Sequence, residues 1–207
     1  MFGSHASFLH EGDPMLERTE ILGEYTEEIP GKTISESSIS IKSDDLYRNW
    51  RRVSLSSDFL GRYYSYFFPY QEKALKTMSR DEAENIISFV LNELVENTAK
   101  YSNTGDKSVQ IHIWLMDGVL LFKVSNFIDE EVAGSFVTLT REILHGDPEE
   151  LYMKRLERNI EDEAGDSGLG YLTLINDFGI VLGFKFDKVD KNVIQVTVQA
   201  KMKYKEA

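Results

Sequence analysis

The chain has 207 residues, of which 42% are hydrophobic and 28% are charged, and this composition fits one folded domain and excludes disorder throughout. Its 35 acidic and 23 basic side chains give a formal net charge of -12, so a nucleic-acid backbone is not an expected partner. The absence of cysteine excludes disulfides, thiolate zinc sites and cysteine nucleophiles. No apolar run approaches the roughly 20 residues that span a bilayer, and the N-terminus lacks a signal-peptide pattern, so we expect a soluble cytoplasmic protein.

Residues 1–34 mix Gly, Pro, Ser and Glu without sustained periodicity, and we interpret them as a flexible N-terminal arm. Residues 35–207 form the predicted domain. It begins with a weakly alternating edge strand at 35–42 and a helical region at 44–66. An aromatic cluster ends this region, and its pattern favours burial beneath a helix end over an adhesive partner surface: Tyr63, Tyr64, Tyr66, Phe67, Phe68 and Tyr70.

The best-defined helix of the chain begins at a capping box over 79–82 and runs to about residue 101. Alternating apolar residues then predict two strands, 109–116 and 119–125. Asp117-Gly118 between them supplies the residues of a tight type I′ turn, so the pattern predicts a β-hairpin.

Helical spacing recurs in the second half of the chain, over 129–144 and 148–163. A glycine-rich stretch at 165–170 precedes a short apolar helix at 171–178, and two further strands follow, 180–186 and 193–202. This order of elements predicts an α+β fold, a two-layer α/β sandwich in which helices cover one face of a mixed sheet.

Two polar residues interrupt the apolar face of the helix over 79–101. At 100° per residue, Glu93 and Asn97 lie about 40° apart on the helical wheel, and apolar residues flank them. Burying an unpaired amide or carboxylate costs roughly 1–3 kcal/mol, so each side chain needs a partner. The spacing leaves two alternatives open, a ligand or metal on the one hand and neighbouring backbone groups on the other.

The glycine-rich stretch is a second candidate site. Gly168-Leu169-Gly170 stands directly before an apolar helix, so its backbone amides can bind an anion together with the positive end of that helix. Taken alone, this pattern is more typical of a packing turn than of a phosphate site.

Residues 93–101 read Glu-Leu-Val-Glu-Asn-Thr-Ala-Lys-Tyr and resemble the N-box of the GHKL superfamily, which comprises gyrase-type ATPases, Hsp90, mismatch-repair ATPases and histidine kinases. The resemblance covers roughly residues 79–202 and implies a histidine-kinase-like ATPase domain of the Bergerat type, which binds ATP and Mg²⁺. It implies that Asn97 holds Mg²⁺ against the phosphates and that Glu93 orients or deprotonates the attacking hydroxyl. It also implies that Lys100 reaches a phosphate.

Three further features of the sequence bear on this resemblance: a glycine turn, one residue of the N-box and a charged helix. Gly168, Leu169 and Gly170 resemble the second glycine box, which implies that this turn binds phosphate, although Asp166 stands where the first glycine of the box would be. The family usually has alanine where this chain has Thr98. The helix at 148–163 lies where the family has a mobile lid, and its alternating charges predict a solvated segment.

The first glycine box departs most from the family. Its adenine-binding aspartate is replaced by Asn126, and Phe127 follows where glycines are usual. The Asn126 amide can still pair with the adenine amino group, so the resemblance implies that it is an adenine contact. Phe127 either stacks on the base or fills the pocket.

The resemblance implies a stand-alone kinase similar to bacterial anti-sigma-factor serine kinases. His10 is no phosphoacceptor of a conventional histidine kinase, because Gly12-Asp13-Pro14 breaks any helix there. A kinase of this kind transfers the γ-phosphate of ATP to a serine or threonine of a small antagonist-type or regulator protein in a partner-switching pathway. The alternative is a degenerate GHKL adaptor without nucleotide, which works by protein binding only. No metal-ligand spacing points to a metal other than nucleotide-borne Mg²⁺, and a homodimer is left open.

Overall fold

The computed structural model describes residues 19–29, 31–43, 50–68, 78–102, 107–161 and 168–204. In these ranges the chain folds into two layers, a β-sheet and a layer of helices, so the predicted α+β sandwich is confirmed. The strands are β1 (Thr19–Gly23), β2 (Thr33–Lys42), β3 (Ser108–Met116), β4 (Val119–Asp129), β5 (Val181–Asp190) and β6 (Val193–Lys203). The helices are α1 (Trp50–Ser65), α2 (Arg80–Tyr101), α3 (Glu130–His145), α4 (Pro148–Glu161) and α5 (Leu169–Phe178). No helix in the described ranges has the length and apolar character that crossing a membrane requires.

The six strands form one sheet in the order β1-β5-β6-β4-β3-β2. Every pairing between them is antiparallel, so the prediction of a mixed sheet was wrong. Two hairpins, β3–β4 and β5–β6, meet side by side through β4 and β6, whose register runs from Val119↔Lys203 to Asp129↔Val193. Because β1 and β2 also add in the antiparallel sense at the two edges, no parallel crossover is needed.

Strand β1 lies inside the segment that the sequence predicted as a flexible arm, so that prediction was wrong for Thr19–Gly23. This strand pairs with β5 along its full length, and Leu22 packs against the core while Ile21 stays exposed. Five residues are too few for a clear alternation, and the partner strand lies near the other end of the chain. Strand β2 begins at Thr33, and its predicted edge position is confirmed. Residues 1–18 lie outside the described ranges.

The two faces of the sheet have different cover. Alternate residues of β4 and β6 face the helices and form the centre of the core, among them Phe122, Val124, Ile194, Val196, Val198, Ala200 and Met202. On the opposite face, Lys123 Nζ donates to the carbonyl of Thr26 at 2.6 Å, and Gln199 Nε2 donates to the carbonyl of Glu24 at 2.9 Å. The segment after β1 is therefore tied across the face that the helices leave open.

Helix α2 runs through the middle of the helical layer. The Ser79 side chain caps it by accepting a hydrogen bond from the Glu82 N–H at 3.3 Å, as the capping-box pattern predicts. Helix α1 packs against it at Gly61, where a Cβ would lie 2.8 Å from the Glu84 carbonyl oxygen. Because glycine lacks that carbon, the two helices approach closely at this point.

Candidate functional site

Helix α2 carries Glu93 and Asn97, the two polar residues that interrupt its apolar face. Asn97 is 5% exposed, and its Nδ2 donates to the Glu93 carbonyl oxygen at 2.8 Å. Thr98 is buried beside it and donates to the Leu94 carbonyl at 2.8 Å, which explains how a threonine is accommodated at this position. Neighbouring backbone groups therefore satisfy part of the polar set. The oxygen of the Asn97 amide is the atom whose chemistry suits a hard cation.

The Glu93 carboxylate lies against the beginning of α5. A Cβ added at Gly170 would collide with Glu93 Oε2, so the glycine is needed for this side chain to sit where it does. Glu93 and the glycine turn, which are far apart in sequence, are therefore in contact. Burial raises the pKa of Glu93, the nearby Glu96 adds to the rise, and Lys100 opposes it. A carboxylate that holds a proton more tightly is a better general base near neutral pH.

Lys100 lies one turn beyond Asn97, near the exposed end of the site. Its Nζ is 3.9 Å from Glu96 Oε1, and the two side chains are 43% and 66% exposed. A surface pair of this kind contributes at most about 1 kcal/mol, so a more highly charged anion can compete for the ammonium group. The structure therefore places Lys100 near the candidate site but in contact with Glu96.

Asn126 connects the sheet to the end of α2. It is 4% exposed, and its Nδ2 donates to Ser102 Oγ at 3.2 Å. Ser102 is the residue that ends α2, and its hydroxyl donates to the Thr98 carbonyl at 2.8 Å. Asn126 also lines the same small cavity as Asn97, so the structure brings the two predicted nucleotide contacts together.

Aromatic rings fill most of the space around this cavity, whose volume is about 10 Å³ where described residues enclose it. The rings of Tyr101 and Phe136 stack at 5.0 Å between centroids, and Tyr171 beside them is buried. A volume of this size accommodates about one water molecule, whereas small-molecule sites have several hundred Å³. The donor set fits Mg²⁺ and phosphate, but a base fits beside Asn126 only if these rings separate. Residues 103–106 and 162–167, which adjoin the site in sequence, lie outside the described ranges.

Phe127 is not part of this cavity, so both roles predicted for it were wrong. Successive residues of a strand point to opposite faces, and Asn126 faces the helices. Phe127 is therefore on the other face of β4, where Lys107 Nζ lies 4.4 Å from its ring centroid. The ring therefore lies away from the cavity and does not fill it.

The glycine turn is built for close packing. Gly168 has a φ of 113° and caps α5, with the Leu172 N–H donating to its carbonyl at 3.1 Å. A Cβ at Gly168 would lie 3.1 Å from both Arg155 Nη1 and a Leu139 methyl. The packing turn that the pattern favours is therefore present. Phosphate binding by Gly168, Leu169 and Gly170 remains a prediction.

Arg155 on α4 is the residue that the sequence reading missed. It was assigned to a solvated segment, but it is 6% exposed, and its Nη2 donates to Glu142 Oε2 at 2.7 Å. Leu151, four residues earlier, is also buried, so both lie on one face of the helix. A helical wheel would have shown this arginine on the apolar side of α4. Its guanidinium lies beside Gly168 and is paired with Glu142, so it packs the glycine turn against α4.

The aromatic cluster at the end of α1 divides into two sets. Tyr64 and Phe68 are buried in the core, as the pattern favours. Tyr63, Tyr66 and Phe67 are 44%, 60% and 46% exposed, so the expectation of burial was wrong for these three residues. Tyr70 lies outside the described ranges. Within those ranges, no three His, Asp or Glu side chains are grouped so that they could hold a metal ion.

Comparison with known proteins gives a likeness in fold to a solved structure. No family model matches the chain, and no curated protein is significantly similar to it. Among solved structures, the chain is similar to one in the crystal structure of the SiaB–SiaC complex from Pseudomonas aeruginosa, with a TM-score of 0.57 and 15% sequence identity. The match covers 82% of this chain and 91% of that chain. At this identity the likeness shows the fold.

Proposed function

We propose that this chain is a GHKL-type signalling domain that binds ATP with Mg²⁺ and phosphorylates a serine or threonine of a small partner protein. The observation that carries the proposal is the contact between Glu93 and Gly170 at the beginning of α5, with Asn97 one turn further along α2 in the cavity that Tyr171 of α5 also lines. An amide oxygen, a desolvated carboxylate and a helix N-terminus are the groups that phosphoryl transfer requires. We propose a cytoplasmic location, where ATP is available.

When bound, ATP with Mg²⁺ would supply the γ-phosphoryl group, which would pass to the acceptor oxygen while ADP leaves. In the proposed reaction Asn97 orients the cation through its side-chain oxygen, and Glu93 accepts the proton that leaves the acceptor hydroxyl. The raised pKa of Glu93 favours this transfer. Lys100 and the first backbone amides of α5 stabilise negative charge on the phosphates. Asn126 donates to or accepts from the adenine edge after the rings beside it move apart.

A protein partner is supported by the structural neighbour, which is a chain of the SiaB–SiaC complex. We propose that this chain likewise acts on a second protein. The segment after β1 covers one face of the sheet through its hydrogen bonds to Lys123 and Gln199, and the helices cover the other. We therefore propose that the partner approaches the exposed surface of the helical layer.

Isothermal titration with ATP in the presence of Mg²⁺ tests the nucleotide part of the proposal. We expect wild-type protein to bind ATP·Mg²⁺, EDTA to weaken binding, and Asn97→Ala to weaken it at least about tenfold through loss of the cation ligand. Asn92→Ala is the matched control, because the same residue type is removed from the same helix outside the cavity. Equal binding by both variants would refute the role of Asn97.

The second candidate function is the nucleotide-free adaptor, and the cavity of about 10 Å³ favours it. An adaptor predicts no heat with millimolar ATP·Mg²⁺ from a sample whose circular dichroism shows native folding. The kinase proposal would then be rejected. The same titration therefore decides between the two functions.

A further inference from the structure

Helix α1 presents a contiguous aromatic surface to solvent. Its exposed residues recur about once per helical turn, so they form one stripe along the helix: Leu55, Phe59 and Tyr63, followed after the helix by Tyr66 and Phe67. The last four of these residues line a groove of about 450 Å³ together with Arg62. We name this feature the α1 groove. Its volume falls within the range of sites that bind ligands or inserted side chains.

The rings of the α1 groove are held in place by their neighbours. Tyr63 and Phe67 pack edge to face at 5.8 Å between centroids, and the Tyr63 hydroxyl is 3.2 Å from Ser35 Oγ on β2. The Arg80 guanidinium lies 4.3 Å from the centre of the Tyr66 ring. A partner therefore meets rings whose positions are already fixed, which lowers the entropy lost on binding. Tyrosine and arginine are also the residues most enriched at energetically important interface positions.

The charge of the α1 groove is opposite to that of the whole chain. Among the described residues that line it, Arg62 is the only charged one, and Arg80 stands at its edge over Tyr66. Charges in physiological salt act over about 8 Å, so Arg62 and Arg80 act on the groove more strongly than distant acidic residues do, and the exposed Asp58, one helical turn before Arg62, offsets part of their charge. A symmetric contact with a second copy would bring two such pairs of arginines together. The chemistry instead fits a carboxylate beside an apolar anchor.

The α1 groove is separate from the candidate nucleotide site. Arg80 begins α2 and Glu93 lies 13 residues further along it, which corresponds to about 20 Å at 1.5 Å per residue. A segment bound at the groove therefore leaves the site around Glu93 accessible.

We propose that the α1 groove is a docking surface for an acidic amphipathic helix of a partner protein. The helix places a leucine- or phenylalanine-sized side chain among Phe59, Tyr63 and Tyr66, and a carboxylate beside Arg62. Helix-in-groove recognition of this kind uses anchors spaced three or four residues apart, which matches the spacing of the rings on α1. The proposal does not depend on nucleotide binding.

Two labelled helical peptides test this proposal on the full chain by fluorescence anisotropy. Both carry a leucine stripe; one has glutamates beside the stripe and the other has lysines at the same positions. We expect the glutamate peptide to bind at least tenfold more tightly than the lysine peptide, Phe59→Ser to weaken its binding at least tenfold, and Arg62→Glu to reverse the preference. Leu55→Ser is the matched control, because Leu55 and Phe59 are both 67% exposed on α1 and Leu55 does not line the groove.

Four outcomes would overturn the proposal. The first is no binding of the glutamate peptide by wild-type protein, and the second is an equal effect of Leu55→Ser and Phe59→Ser. The third comes from sedimentation: a wild-type dimer that Phe59→Ser converts to monomer would show that a second copy occupies the groove. A wild-type preference for the lysine peptide would contradict the assigned charge.

Discussion

Helices α1 and α2 depart in opposite ways from the rule that apolar side chains are buried and polar ones exposed. Helix α2 buries Asn97 and Thr98 and partly buries Glu93, whereas α1 exposes Phe59 and Tyr63. Burying polar side chains and exposing large apolar ones each cost free energy. Packing of the chain alone does not explain why these residues stand where they do. The difference teaches that the two helices offer different chemistry, because α2 holds a carboxylate and an amide inside the fold and α1 presents aromatic rings to solvent.

The largest expected effect separates the buried and exposed rings of α1. Tyr64 is fully buried and its hydroxyl donates to Ser37 Oγ at 2.9 Å, while its neighbour Tyr63 is 44% exposed. We expect Tyr64→Ala to lower the free energy of unfolding by about 3–5 kcal/mol and Tyr63→Ala to lower it by about 1 kcal/mol or less. Urea denaturation measures both, and equal losses would mean that α1 has no distinct outer face.

The next effect concerns the contact between α2 and α5. In Gly170→Ala the added carbon collides with Glu93 Oε2, so the carboxylate must move away from the beginning of α5. We expect ATP turnover to fall about 100-fold, the contribution of a positioned general base, with ATP affinity nearly unchanged. Gly179→Asn at the other end of α5 is the control, since nothing lies within 4 Å of a Cβ there and asparagine tolerates its φ of 60°. Unchanged turnover in Gly170→Ala would remove Glu93 from the mechanism.

A third prediction tests whether buried polar contacts also fix α4. Arg155 donates to Glu142 at 2.7 Å from a buried position, and Lys154 next to it is exposed. We expect Arg155→Ala to cost about 2 kcal/mol and to speed amide hydrogen exchange throughout α4. Lys154→Ala should change stability by about 0.5 kcal/mol or less. If exchange in α4 is the same in both variants, Arg155 does not hold this helix in place.

The smallest effect is a pH dependence. Because burial raises the pKa of Glu93, the folded chain holds this proton more tightly than the unfolded chain. The resulting stability is fully present below the ordinary glutamate range, about 4.3, and is lost as pH rises through the raised folded value. We therefore expect Glu93→Gln to raise the urea midpoint slightly at pH 7 and the difference to shrink towards pH 4. A difference that grows on acidification would contradict the assigned direction.

Much of the fold follows from local patterns. The capping serine at Ser79, the turn at Gly118 with its φ of 78° and the apolar face of β6 lie where short-range chemistry places them. Strand β1 and the all-antiparallel pairing were not predicted, because they depend on contacts between distant parts of the chain. Periodicity within one element carries no information about such pairings.

The candidate site could be predicted from the sequence only in part, for the same reason. Helical spacing placed Glu93 and Asn97 on one face, but it could not show that Glu93 lies against Gly170. Two errors were avoidable, since strand alternation puts Phe127 opposite Asn126, and helix spacing puts Arg155 beneath Leu151. The filling of the cavity by Tyr101, Phe136 and Tyr171 arises from packing between three elements, which no single pattern encodes.

A crystal structure of the chain with Mg²⁺ and a non-hydrolysable ATP analogue tests the central claim most directly. The account predicts Mg²⁺ at about 2.1 Å from Asn97 Oδ1, the phosphates at the beginning of α5, and the stacked rings of Tyr101 and Phe136 moved apart. An analogue bound elsewhere on the chain, or crystals grown with excess analogue in which the cavity beside Asn97 still measures about 10 Å³, would contradict it.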